Sequence, residues 1–133
     1  MPITITFSTA GNFTIEDDGT PGNATSIVRR DSDGVILAVI LHPADSLVFR
    51  AVVPGVNLTL NMTDSLGNAA LLVGSLTTTA ETPDNIVVKA FRSTGSVTLA
   101  GDGAITEGGS DGSADIVANA IILSAGTGIG TGA

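Results

Sequence analysis

The chain has 133 residues, of which 43% are hydrophobic, so it is long enough to bury the core of one domain. Its net charge of −8, with only five basic residues, argues against a nucleic-acid surface, because binding phosphates needs clustered cations. The absence of cysteine excludes disulfides, thiolate metal sites and cysteine nucleophiles, and the longest apolar run, residues 35–41, is too short to span a bilayer.

Short strand patterns recur along the first part of the chain. Ile3, Ile5 and Phe7 alternate with polar residues, as expected of a half-buried strand. Aliphatic stretches within residues 47–60 and 86–91 predict further strands, and the 17 glycines favour tight turns between them. The continuous apolar run at 35–41 is rich in β-branched residues and predicts a strand buried on both faces, with a short buried helix as the alternative.

The last third of the chain contains an approximate internal repeat. The segment SVTLAGDGAIT begins at Ser96, and the similar segment AIILSAGTGIG begins at Ala120. The matched positions are Val97 with Ile121, Leu99 with Leu123, Ile105 with Ile129, and the turn 100–103 with the turn 125–128. An internal period of this length, roughly 24 to 25 residues, predicts a β-solenoid in which each strand pairs in parallel with its counterpart in the next coil.

We therefore predict a single all-β domain over residues 1–133. Residues 1–95 would form an irregular β part able to cap the coils, and residues 96–133 would form repeat-like coils. An antiparallel β-sandwich or jelly roll is the alternative fold, because strands separated by turn signals every 8 to 12 residues or so suit it equally well. The ending GTGIGTGA predicts a fragment of a longer protein. If that protein is exported, we expect its signal to lie outside this chain.

The segment covering residues 96–131 resembles the repeats of very large secreted bacterial proteins of the filamentous-haemagglutinin-like type. In those repeats, valine and leucine alternate ahead of an Ala-Gly-x-Gly turn, as they do in SVTLAGDGAIT. The stretches GNFTIEDDG and VNLTLNMTDSLGNAALLVGSL are more loosely similar. The resemblance implies a right-handed parallel β-helix, export to the cell surface or the extracellular space, and an adhesive or scaffolding role. It supplies no catalytic residues that map onto this chain.

The sequence contains no recognisable catalytic constellation, and we expect the protein not to be an enzyme. His42 is the only histidine and has no serine or aspartate motif beside it. Calcium is the one candidate cofactor, because hard cations prefer clustered oxygen ligands on bent loops. Its candidate ligands are Asp17 with Asp18, Asp31 with Asp33, and Glu107 with Asp111 and Asp115.

These observations favour a non-catalytic structural or adhesive module of an extracellular bacterial surface protein. The alternative is a self-assembling subunit of an extracellular filament, in which the edge formed by Ile3, Ile5 and Phe7 adds to a neighbour's sheet or the coils stack head to tail. A carbohydrate-binding β-protein is a third hypothesis, although the chain has no Trp or Tyr to stack on sugars. The expected partners are further copies, or neighbouring repeats, of the same protein.

Overall fold

The computed structural model describes residues 3–17, 25–41, 46–61, 73–108 and 116–130, and every regular element in these ranges is a β-strand. In chain order the strands are β1 (Ile3–Phe7), β2 (Gly11–Asp17), β3 (Thr25–Arg30), β4 (Ile36–Leu41), β5 (Leu47–Ala51), β6 (Val56–Asn61), β7 (Val73–Ala80), β8 (Asn85–Gly101), β9 (Ala104–Glu107), β10 (Ile116–Val117), β11 (Ala120–Ala125) and β12 (Gly128–Ile129).

Five strands form a first parallel ladder. It runs from β1 through β5, β7 and the C-terminal part of β8 to β11, each strand pairing with the next. One column of aligned residues follows the ladder: Ile3, Leu47, Leu76, Val97 and Ile121. Because parallel strands need a crossover connection, the chain leaves this ladder after each strand and returns to it.

The strands in between form a second parallel ladder. It consists of β2, β6, the N-terminal part of β8, β9 and β12. Its central column is Phe13, Leu58, Ile86, Ile105 and Ile129. The 17-residue β8 contributes to both ladders, and its middle pairs in parallel with β10, where Phe91 lies beside Ile116.

In the described ranges, one hydrophobic cluster contains most of the inward residues of both ladders. Ile121 and Ile129, in the last strand of each ladder, lie outside it. Alternate residues of each strand point into it, as Leu47, Phe49 and Ala51 do in β5. Aromatic rings fill one region of this core: the ring centroid of Phe7 lies 4.8 Å from that of Phe13 and 6.2 Å from that of Phe49. The period-two alternation read from the sequence therefore separates core from surface in these strands.

The internal repeat predicted the strand register of the last third of the chain. Its two hydrophobic stretches pair in parallel as β8 and β11, and Ile105 pairs with Ile129 in β9 and β12. The predicted match between the two turns is wrong by one residue, because Ala125 lies beside Gly101 and not beside Ala100. The alternation of apolar residues, which fixes which side chains face the core, determines the register more strongly than similarity between the turns.

β3 and β4 form an antiparallel hairpin on the edge of β2. β3 pairs with β2, β4 pairs with β3, and β4 is the last strand in the sheet order. Val28 of β3 and Ile40 of β4 are fully buried in the core cluster. The hairpin therefore pairs with one edge of β2, and β6 pairs with the other edge.

The prediction that residues 35–41 form a strand buried on both faces is wrong. Val35, Ile36, Leu37 and Val39 are 45% to 59% exposed, and in this segment only Ile40 is described as buried. The reason is topological, because among the described strands β4 pairs with β3 alone and is the last strand in the sheet order. Its composition reflects β-propensity and not burial on two sides.

All twelve described strands belong to one connected sheet. β8 continues across residue 95, and parallel pairing already begins at residue 3. The fold is all-β, with parallel and mixed sheets.

Candidate functional site

The stack of strands has two ends that differ in burial. We call the end formed by β1 to β4 the capped end, and the end formed by residues 116–130 the open end. Phe13 and Ile129 occupy opposite ends of the same column, yet Phe13 is 1% exposed and Ile129 is 53% exposed. Equivalent inward positions are thus covered at one end and uncovered at the other.

Polar contacts hold the hairpin against β2. The N–H of Asp31 donates to the carbonyl oxygen of Asn12 at 2.9 Å, and the Thr14 hydroxyl donates to the Asp31 carboxylate at 2.7 Å. Arg29 of β3 forms an ion pair with Glu16 of β2 at 2.7 Å. The hairpin is therefore held by side chains as well as by its strand pairing and its buried aliphatic residues.

Asp31 and Asp33, predicted as calcium ligands, both have protein partners. Asp33 accepts hydrogen bonds from the Arg30 guanidinium at 2.6 and 3.0 Å and from the N–H of Val35 at 3.1 Å. These contacts, led by the Arg30 hydrogen bond, hold the pKa of Asp33 below its ordinary value. Both carboxylates thus accept hydrogen bonds from other groups of the protein. A bound calcium ion would need the same carboxylate oxygens as ligands.

The remaining calcium candidates are not assembled in the described part of the chain. Asp17 ends β2, and Glu107 ends β9. The candidates outside the described residues are Asp18, Asp111 and Asp115, and the single histidine, His42, also lies there. Within the described ranges no group of three or more metal-ligating side chains is found, so calcium binding stays a prediction.

The predicted strand-addition edge is an edge strand in the structure. β1 pairs with β5 and stands first in the sheet order. Ile5 and Phe7 are only 9% and 2% exposed, and Ile3 is partly buried against the core. An added strand would therefore meet the backbone of β1 and the exposed Thr4 and Thr6, while the apolar residues serve the core.

An asparagine ladder runs along the second ladder, and the sequence patterns above did not reveal it. Asn57 Nδ2 donates to Asn12 Oδ1 at 2.9 Å, and Asn85 Nδ2 donates to Asn57 Oδ1 at 3.0 Å. The N–H of Ala104, in the next strand, donates to Asn85 Oδ1 at 3.0 Å. The signal in the sequence is an asparagine directly before each of the triplets FTI, LTL and IVV. Such ladders of identical side chains form when parallel strands stack in register.

An apolar hollow with a volume of about 180 Å³ lies at the open end. Its lining includes Val88, Ile105, Ile116, Leu123, Ile129 and Glu107. A lining dominated by aliphatic side chains suits apolar contact and not acid–base or nucleophilic chemistry. The hollow is thus a candidate contact surface.

Comparisons with protein-family models, with curated proteins and with solved structures gave no match. In the described ranges no helix is long and apolar enough to cross a membrane. The resemblance to filamentous-haemagglutinin-like repeats therefore stays a prediction, and the functional interpretation depends on the geometry of this chain.

Proposed function

We propose that this chain is a β-solenoid with one capped end, and that it serves as a non-catalytic structural or adhesive module of an extracellular bacterial surface protein. The observation that carries the proposal is the continuous parallel register of the two ladders around one core. In a right-handed parallel β-helix, successive coils produce this pairing, and each coil contacts only its neighbours.

The asparagine ladder supports the solenoid interpretation. Asn12, Asn57 and Asn85 occupy the same position in three successive strands of the second ladder. An antiparallel sandwich would pair neighbouring strands in opposite directions. Among the described strands, antiparallel pairing is confined to the β3–β4 hairpin, its contact with β2 and one isolated bridge. The hairpin corresponds to the cap that a solenoid needs at its end.

The outward face of the first ladder supports an adhesive or scaffolding role. Its central column consists of the uncharged residues Thr4, Val48, Thr77, Thr98 and Ile122. Strand spacing repeats these hydroxyl and methyl groups every 4.8 Å or so along the stack. A regular uncharged column on a chain of net charge −8 suits extended contact with another surface more than the capture of a small substrate.

Surface labelling tests the location. Antibodies raised against the purified chain should label intact source cells, and protease treatment of those cells should remove the label. Labelling that requires permeabilised cells would contradict an extracellular role. Adhesion is tested by measuring how beads coated with the chain attach to a surface. The double variant Thr77→Lys with Thr98→Lys changes only the outward face, and it should reduce bead attachment if that face is adhesive.

The filament subunit remains the alternative proposal. It requires that both ends of the stack accept strands, and the outer edge of β1, which no described strand occupies, favours it. The hairpin on β2 disfavours it, because β3 already pairs with the outer edge of β2 and a stacking copy would meet the hairpin first. Electron microscopy of the purified chain, with calcium and with chelator, distinguishes ordered filaments from discrete particles. Binding of a glycan on an array would instead support the third, carbohydrate-binding proposal.

A further inference from the structure

The open end leaves both backbone and side-chain groups uncovered. β11 pairs with β8 along one edge, and no described strand pairs with its other edge. The aliphatic side chains at this end are unusually exposed: Val117 by 45%, Ile121 by 45%, Ile122 by 59% and Ile129 by 53%. A partner that satisfies both kinds of group must present a strand edge together with an apolar surface.

Charge does not protect this end. Residues 116–130 contain no charged residue and no proline, although the chain carries a net charge of −8. Edge strands that must stay single usually carry charges or proline that discourage pairing. At physiological ionic strength the net charges of two copies are screened over about 8 Å, so they do not prevent contact between the uncharged segments 116–130 of two copies.

The capped end of a second copy is a poor partner for the open end. β3 and β4 extend the second ladder by two strands beyond β2. At about 4.8 Å per strand, the edge of β4 then lies roughly 10 Å beyond the level of β2. If two copies stacked head to tail, the open end of one copy would meet the β3–β4 hairpin of the other. Its β11 would then not reach the β1 edge of that other copy.

We propose that two copies of this chain associate open end to open end, about a two-fold axis through the middle of β11. β11 then pairs in antiparallel fashion with β11 of the second copy and extends the first ladder. The same rotation places β10 of each copy opposite β12 of the other, so the inward residues Ile116 and Ile129 face each other across the interface. An interface that uses one surface on both copies closes as a dimer and does not propagate.

Molar mass in solution tests the association. The 13.2 kDa chain should behave as a dimer in light scattering and sedimentation, and higher salt should strengthen the association by screening net charge. Ile122→Lys places a cation near the axis of each copy and should raise the dimer dissociation constant about tenfold or more. Val39→Lys, on the exposed edge strand of the hairpin, is the matched control and should leave the dissociation constant unchanged.

Single-cysteine cross-linking distinguishes the geometries, because the chain has no cysteine of its own. Ile122→Cys should form a disulfide between identical positions of two copies, and Thr4→Cys should not. A disulfide between positions 4 and 122 in a mixture of the two variants would indicate head-to-tail stacking and overturn the proposal. A wild-type chain that stays monomeric at high concentration, or a dimer that Val39→Lys dissociates and Ile122→Lys does not, would overturn it as well.

Discussion

Thr78 provides a sensitive test of how the first ladder is held together. Its side chain is 5% exposed, and its hydroxyl donates to the Ala100 carbonyl at 3.0 Å and accepts from the Ala100 N–H at 2.8 Å. Thr78→Val keeps the shape but leaves both backbone groups of Ala100 without this partner. Two lost hydrogen bonds at about 1 kcal/mol each predict a decrease of about 2 kcal/mol in the free energy of unfolding, and more if water cannot reach Ala100.

Urea unfolding followed by far-ultraviolet circular dichroism measures this decrease, since the chain has no Trp for fluorescence. Thr77→Val is the matched control, because Thr77 is adjacent, lies in the same strand and is only half-buried. Its free energy of unfolding should change by less than about 0.5 kcal/mol. Equal effects of the two substitutions would refute the role assigned to the Thr78 hydroxyl.

Four further substitutions test the asparagine ladder, the turns and the cap. Asn57→Ala removes contacts to both neighbouring asparagines and should lower the free energy of unfolding by about 1–2 kcal/mol. Asn12→Ala removes one such contact and should lower it by about half as much. Equal effects of the two substitutions would count against a ladder. Gly126→Ala should lower the free energy of unfolding by about 1–3 kcal/mol, because a Cβ there meets the backbone carbonyl of Asp102. Thermal melting measures this effect, and an unchanged melting temperature would contradict the close approach. The pKa of Asp33 is lowered in the folded state, so its stabilising contribution is present above its unfolded pKa, about 3.9, and is lost as the pH falls through the lower folded pKa. The stability difference between wild type and Asp33→Asn should therefore be present at pH 7 and shrink below about pH 4, and a difference independent of pH would contradict the ion pair.

Local sequence periodicity predicted the strands, and the internal repeat predicted their parallel pairing near the C-terminus. The same period is hidden in the earlier part of the chain, because the β3–β4 hairpin and other insertions change the spacing between paired strands. Phe13 pairs with Leu58, for example, across the whole hairpin. A self-comparison at one fixed offset cannot detect such a pair.

The edge position of β4 could not be predicted from composition. A run such as residues 35–41 has the same pattern whether it lies in the centre of a sheet or at its edge, because burial depends on partners that are distant in sequence. Asp31 shows the same difficulty for sites. Two aspartates in a turn indicate a cation, but the structure gives Asp31 a threonine partner and Asp33 an arginine partner.

Hydrogen exchange should show whether the difference between the two ends affects stability. The backbone of β6 lies between β2 and β8, whereas β11 pairs with β8 as its one described neighbour, and Ile121 and Ile122 are exposed. Local opening of β11 therefore breaks fewer contacts, and amides in residues 120–125 should exchange much faster than those in residues 56–61 in a dilute sample. If open ends associate, protection of residues 120–125 should increase with protein concentration, while that of residues 56–61 stays the same. Uniform protection along the whole stack would instead mean that it opens only as one cooperative unit, and that the uncovered end costs it no local stability.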